Sequence, residues 1–276
     1  MTAGVVRMPP GICSDICPRK ATAMNAGTAL LTTTGSDIEV FPSLFSSGPG
    51  SAACTPETLL LDQLRLSIPE MRQSFLSALP WPHLVLDDLI DPMVAATAEK
   101  QEAALATQLR PHRSHRMVKA ESSVPGGPAA AAILAEMLSP RFIALLEGVT
   151  GIRNLIGDPK HFAGGLHVSG RGAFQSVHTD FERHSVPGLY HRVNVLLYLN
   201  SEWEADFGGE LELWPKDMTE CGRKIAPLLG RIVIFVTDPN TVHGVPDPVQ
   251  CPPGALPALI GVVLLHHRAA AAHFVP

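Results

Sequence analysis

His178 and Asp180 stand two residues apart, and a second histidine, His243, follows far downstream in Asn240-Thr241-Val242-His243-Gly244. Together they offer two imidazoles and one carboxylate in the order His, Asp, distant His. That is the ligand set of a non-heme Fe(II) facial triad, which leaves three metal positions open for chemistry. Neighbouring residues of a strand point to opposite faces, whereas positions 178 and 180 share one, so both can grip a single ion. His243 then has to arrive from an adjacent strand. Two histidines and a carboxylate are also a zinc set, although no His-Glu-x-x-His helix supplies the usual base. A cupin-like metal site without redox chemistry stays open at this point.

The elements that must position these residues change character along the chain. Residues 1–50 are rich in Ala, Gly, Ser, Thr and Pro and show little periodicity, so a disordered segment is expected over 1–57. Met8 and Met24 leave open a translation start later than Met1. A helix is expected from Thr58 to Leu79, divided by Pro69. His83–Ile90 reads as a strand running into a turn. Asp91-Pro92 is a good opener for a helix through Leu109. A polar stretch with Pro125-Gly126-Gly127-Pro128 leads to helical patterns at Ala129–Leu138 and Pro140–Gly148. From Gly164 onward short β-favouring runs follow one another: Leu166–Val168, Phe174–Phe181, Arg192–Leu199, Glu210–Trp214, Lys224–Ala226, Arg231–Val236 and Ala258–Leu265. Such spacing means a sandwich or barrel with helices padding its outside. The organisation expected is helical support over 58–160 and a β core over 161–267.

Composition excludes several classes. The 276 residues suffice for a sizeable core, and 46% hydrophobic content with a formal charge of −5 describes an ordinary globule. Neither nucleic acid nor an anionic membrane is suggested as a partner. The longest apolar run, Ala255–Leu265, is too short to span a bilayer. Five cysteines (Cys13, Cys17, Cys54, Cys221 and Cys251) are an odd number in a chain too large to need staples, which favours free thiols and a cytoplasmic location.

Two further segments carry side chains that suit a pocket. In Arg192–Asn200 the even positions share a face, which groups Arg192, Asn194 and Tyr198. In Gly208–Trp214 a tight turn enters a strand whose alternation sets Leu211 apart from Glu210 and Glu212.

Taken together, His178-Thr179-Asp180-Phe181, Arg192–Asn200, Gly208–Trp214, Lys224-Ile225-Ala226-Pro227, Arg231–Phe235 and His243-Gly244 with Pro246-Asp247-Pro248 resemble one family. So do the preceding Gly165-Leu166-His167 and Ser169-Gly170-Arg171-Gly172. The family is that of the Fe(II)/2-oxoglutarate-dependent oxygenases, in their prolyl 4-hydroxylase-like branch, and the resemblance runs from about Pro82 onward. It implies a mainly β fold with flanking helices (α+β), a distorted double-stranded β-helix or jelly roll. It assigns the metal to His178, Asp180 and His243, the distal carboxylate of 2-oxoglutarate to Tyr198, and an apolar pocket wall to Leu211. The implied reactants are Fe(2+), 2-oxoglutarate and O2, with ascorbate as a candidate reductant. The implied reaction couples oxidative decarboxylation of 2-oxoglutarate to hydroxylation of an unactivated C–H bond. The substrate would be a small molecule or a peptidyl residue, with a prolyl carbon as the candidate. The loops around Glu182–Leu189, Glu202–Phe207 and Lys216–Gly222 are where substrate identity would be set.

One feature departs from the family. The resemblance implies a cation, usually arginine, on the last core strand to pair with the distal carboxylate. Near Pro257 and Ala258 the chain supplies neither Arg nor Lys. Arg192 is the substitute that the strand pattern offers. A shift of reading frame is a second explanation. Codons for residues 255–268 read one base later permit Arg-Arg-Ser-Leu-Ala-Leu-Tyr-Tyr-Tyr-Thr-Thr, which resembles the family's last strand. The segment from about 255 is therefore expected to be frame-shifted. A degenerate member that keeps the triad and serves as a binding or structural protein is the alternative function.

Overall fold

The computed structural model describes residues 59, 61–87, 89–158 and 164–267. The expectations for residues 1–57, including Cys13, Cys17 and Cys54, lie outside these residues, as does the chain beyond His267.

Among the described residues four helices form. In α1 (Ile68–Ser77) the Glu70 carboxylate reaches back and accepts from both the N–H and the hydroxyl of Ser67, each at 2.7 Å. Pro69 sits in the first turn, where its missing N–H costs nothing. It therefore opens this helix instead of dividing a longer one, and a short 3-10 turn at Leu61–Gln63 precedes it. Asp91 caps α2 (Pro92–Ala106), its Oδ1 accepting from the N–H groups of Met93 at 2.8 Å and Val94 at 3.2 Å. A cap of this kind stabilises a helix by about 1 kcal/mol. Helices α3 (Pro128–Met137) and α4 (Pro140–Thr150) follow, close to the expected ranges, and α4 stops at Gly151 in the left-handed conformation. Among the described residues no single helix is long and apolar enough to cross a membrane.

Twelve strands make one curled sheet, antiparallel at every pairing. They are β1 (His83–Leu86), β2 (His112–Arg113), β3 (Met117–Ser122), β4 (Ile156–Gly157), β5 (Gly165–Val168) and β6 (Phe174–His178). Then come β7 (Tyr190–Leu199), β8 (Leu211–Trp214), β9 (Arg223–Ile225), β10 (Ile232–Val236), β11 (Val242–Val245) and β12 (Ala258–His266). Their order is β1-β10-β7-β12-β5-β3-β6-β11-β8-β9, with β2 on β3 and β4 on β12. Strand β3 turns the corner: Met117 and Val118 pair with β6, whereas Ala120–Ser122 pair with β5. The composition of β3 is polar, yet it joins the two halves of the sheet. The fold is the expected distorted double-stranded β-helix with flanking helices, although β1, β2, β3 and β4 all come from the region read as helical support.

Strand parity divides the core. Val193, Val195, Leu197 and Leu199 of β7 join Ile232, Ile234 and Val236 of β10 against Phe75, Ile133, Phe142 and other buried helix residues. Each such side chain contributes on the order of 2 kcal/mol by leaving water. The opposite face of β7 presents Asn194, Leu196 and Tyr198 to the inside of the curl.

Candidate metal centre

His178 ends β6 and His243 lies on β11, directly opposite it in register. The close approach depends on Gly244, where a Cβ would stand 2.8 Å from Val177 Cα. Asp180 lies beyond the end of β6, so the turn out of the strand brings it to the histidines; a shared strand face does not. His178 Nε2 is 3.5 Å from Asp180 Oδ1, and His243 Nε2 is 3.6 Å from Asp180 Oδ2. One donor atom from each residue falls within 4.8 Å of the other two.

The hydrogen bonds leave the correct lone pairs free. His178 Nδ1 donates to the Ser176 carbonyl at 2.8 Å, and His243 Nδ1 donates to the Thr241 carbonyl at 3.1 Å. In both cases a carbonyl two residues back fixes the proton on Nδ1, which leaves Nε2 as a ligand. The Gln175 amide lies 3.1 Å from His178 Nε2 and would yield that atom to a metal. Asp180 is held in turn: Asn194 Nδ2 donates to its Oδ2 at 2.6 Å, and His191 Nε2 donates to Asn194 Oδ1 at 2.9 Å. This chain of bonds fixes the Asn194 amide orientation and the His191 tautomer. His191 also packs on Phe181, with ring centroids 5.0 Å apart.

Electrostatics agree with a cation site. Burial works to raise the Asp180 pKa, but the His178 hydrogen bond and the His243 and His191 charges outweigh it and hold the carboxyl ionised. Burial works to lower the His178 pKa, but Asp180 outweighs it and raises the net value. His243 is more deeply buried, and burial keeps its pKa below the ordinary imidazole value. A divalent cation fits this donor set: one charged oxygen, two neutral nitrogens, and open space on one side.

That space is a cavity of about 160 Å³ between the two halves of the sheet. Tyr198 and Leu211 both line it, together with Asn194. The Tyr198 hydroxyl is deeply buried, which raises its pKa and keeps it a neutral donor. Arg192 is not among the lining residues. It shares parity with Asn194 but lies nearer the start of β7, where its carbonyl accepts from Thr237 N–H and it feels the charges of Asp238 and Glu182. The position opposite Tyr198 in β12 belongs to Leu259, which also faces the cavity. The segment from Ala258 thus forms a strand paired on both sides, because Leu, Ile and Val suit one in any frame. Lys119 and His167 line the cavity as well, and sequence reading gave neither a role.

Residues 164–271 match the family model described as the 2OG-Fe(II) oxygenase superfamily, a stretch that contains the whole His-Asp-His set. That stretch belongs to this superfamily. Its fold is that of the prolyl 4-hydroxylases. A Pseudomonas putida prolyl-4-hydroxylase superposes with a TM-score of 0.52 at 18% identity, covering 72% of this chain and 98% of that one. A Trichoplax adhaerens prolyl hydroxylase, solved with a peptide fragment of the hypoxia inducible factor oxygen degradation domain, superposes with a TM-score of 0.50 at 18% identity. That match covers 70% of this chain and 87% of the other. No curated protein matches the chain by sequence. The His-Asp-His group stands at one end of the cavity, whereas Leu259 stands at the other, where the resemblance implied a cation.

Proposed function

We propose that this protein is a non-heme Fe(II) dioxygenase that couples oxidative decarboxylation of 2-oxoglutarate to hydroxylation of an unactivated C–H bond. The observation that carries this reading is the convergence of His178 Nε2, His243 Nε2 and an Asp180 oxygen, with both Nδ1 atoms tied to backbone carbonyls. Bound iron and a 2-oxo acid would supply the oxidising power by reducing O2, and no protein base is needed to activate the carbon. The chain's own residues then have three tasks. His178, Asp180 and His243 hold the metal on one side only. Asn194, backed by His191, keeps the carboxylate turned toward it. Tyr198, Leu211 and Phe235 keep water from the far side of the cavity, and Tyr198 offers a hydroxyl proton to a bound carboxylate.

A peptidyl or small-molecule substrate would enter past the loops at residues 182–189, 202–207 and 216–222. A prolyl carbon is the candidate position, supported by likeness of fold. The test is anaerobic titration of the Fe(II)-loaded protein with 2-oxoglutarate, followed by the visible metal-to-ligand charge-transfer band and then by succinate release with candidate peptides. A saturable band supports the reading; iron that binds without any band overturns it.

A specific observation favours a second reading. Leu259 stands where the resemblance calls for a cation, which suits a degenerate member that binds metal and turns nothing over. The frame-shift reading of residues 255–268 would remove that objection, since it restores an arginine pair beside Pro257. Resequencing the locus tests it, and an intact frame would discard it.

A further inference from the structure

One wall of the cavity carries charge that the metal set does not use. Lys119 and Glu121 lie two apart on β3, and Glu121 stands directly opposite His167 of β5 in register. Lys119 Nζ is 2.5 Å from Glu121 Oε1, and His167 Nδ1 is 3.2 Å from the same oxygen. The ammonium and the imidazole are therefore within the span of one carboxylate. Lys119 and His167 line the cavity, whereas Glu121 does not. The anion of this trio stands behind, and its two nitrogen groups face inward.

The remaining capacity of these groups points into the cavity. Glu121 takes one of the three ammonium protons of Lys119 and the Nδ1 position of His167. Glu121 itself is committed to them: the His167 hydrogen bond, against burial and with help from Lys119, brings its pKa down to about 2. His167 Nε2 is left over. It leans toward Gly261, where a Cβ would stand 3.4 Å away. Gly261 pairs with Gly165, so the ring leans over a part of the floor where neither strand supplies a side chain. His167, Leu259 and Tyr198 form one row across three adjacent strands. The imidazole is thus one strand away from Leu259. Lys119 is the one Lys or Arg among the lining residues, and its charge is felt at His178.

We propose that Lys119 and His167 receive the distal carboxylate of a 2-oxo dicarboxylic acid whose other end faces the triad. The inference rests on the oxygenase reading above and supplies the counter-charge that the last strand lacks. A carboxylate left unpaired in such a cavity would cost several kcal/mol. An ammonium and an imidazole backed by a fixed carboxylate remove most of that cost through charge-assisted hydrogen bonds. The apolar wall of Leu211, Leu259 and Phe235 makes the opposite demand, for a 2-oxo acid with a neutral tail. Affinity for the two kinds of acid decides between them.

The experiment uses the full chain loaded anaerobically with Fe(II), and in parallel with Co(II) for calorimetry. It is titrated with 2-oxoglutarate and with 2-oxopentanoate, which has the same carbon chain without the second carboxylate. The wild type is expected to prefer 2-oxoglutarate by about tenfold or more, and each tenfold is about 1.4 kcal/mol. Lys119→Met and His167→Gln should each weaken 2-oxoglutarate by about tenfold and leave 2-oxopentanoate unchanged, and Lys119→Arg should retain wild-type affinity. Equal affinity of the wild type for the two acids overturns the proposal. Equal weakening of both acids by the variants does so too, because that pattern marks a merely structural cluster. Binding of neither acid to metal-loaded wild type overturns the oxygenase reading itself, and the inference with it.

Discussion

The two ends of the cavity are built by different rules. At the metal end three side chains converge, and each is oriented by its own partner: Ser176 for His178, Thr241 for His243, Asn194 for Asp180. At the distal end a buried tyrosine faces a leucine, and the charge sits to one side on β3 and β5. The metal end is therefore short in range, since its partners lie two residues back in the chain or, for Asp180, 14 residues on at Asn194. The distal end is assembled from strands far apart in sequence, so a change in one of them can be answered by another. Ligand geometry at a metal tolerates little displacement, whereas a carboxylate can be met by a cation from more than one side.

The sharpest way to break this comparison is at the metal end. Asp180→Ala should lower Fe(II) or Co(II) affinity by more than about 100-fold, beyond the ~10–100-fold typical of groups that only orient a ligand. Calorimetric titration of the metal checks it, and retained affinity would remove Asp180 from the ligand set. Asn194→Ala should fall inside that lower range, about 10–100-fold, because it frees the carboxylate without removing it. His191→Phe should act in the same direction more weakly, through loss of the hydrogen bond to Asn194.

The distal end is tested by adding a charge. Leu259→Arg should restore 2-oxoglutarate binding by about tenfold in the Lys119→Met background. In the wild-type background it should add much less, because the carboxylate already has its cation. A full tenfold gain in both backgrounds would mean that β3 and β5 contribute nothing. The charge-transfer band measures both cases.

The smallest expected effect is on stability against acid. The Glu121 pKa is lowered from 4.5 to about 2 in the folded protein. A depressed carboxylate stabilises the fold above its unfolded value and loses that contribution as pH falls through the folded one. The stability difference between wild type and Glu121→Gln should therefore be constant above pH 4.5 and vanish toward pH 2. Urea unfolding at stepped pH reads it, and a difference that grows with acidity would contradict the ion pairing. The effect is modest, since the side chain is 45% exposed and solvent screens it.

Much of the fold was legible because its signals are local. The Asp91 cap, the Pro140 helix start and the alternation in β7 are each written within a few residues, and the structure has them where they were read. Two expectations fail, one on a local signal and one for want of long-range information. Pro69 opens the helix that it was expected to divide, because Ser67 and Glu70, three residues apart, cap that turn. Residues 117–122 looked merely polar because Lys119, Glu121 and Ser122 mask a strand whose pairing comes from β5 and β6.

By itself the sequence pointed to the candidate metal ligands and to the faces of β7, because residue type and pleat parity are properties of a few neighbouring residues. It singled out His178, Asp180, His243, Tyr198 and Leu211, and all five line one cavity. Tertiary structure alone decided which cations reach that cavity. Parity gave Arg192 the same face as Asn194 but not its position along β7 relative to the site. Lys119 and His167 are 48 residues apart in the chain, and only the register of β3 against β5 hangs them on one oxygen of Glu121. Register is fixed by burying one face of every strand at once, a condition on the whole sheet that no short stretch of sequence can express.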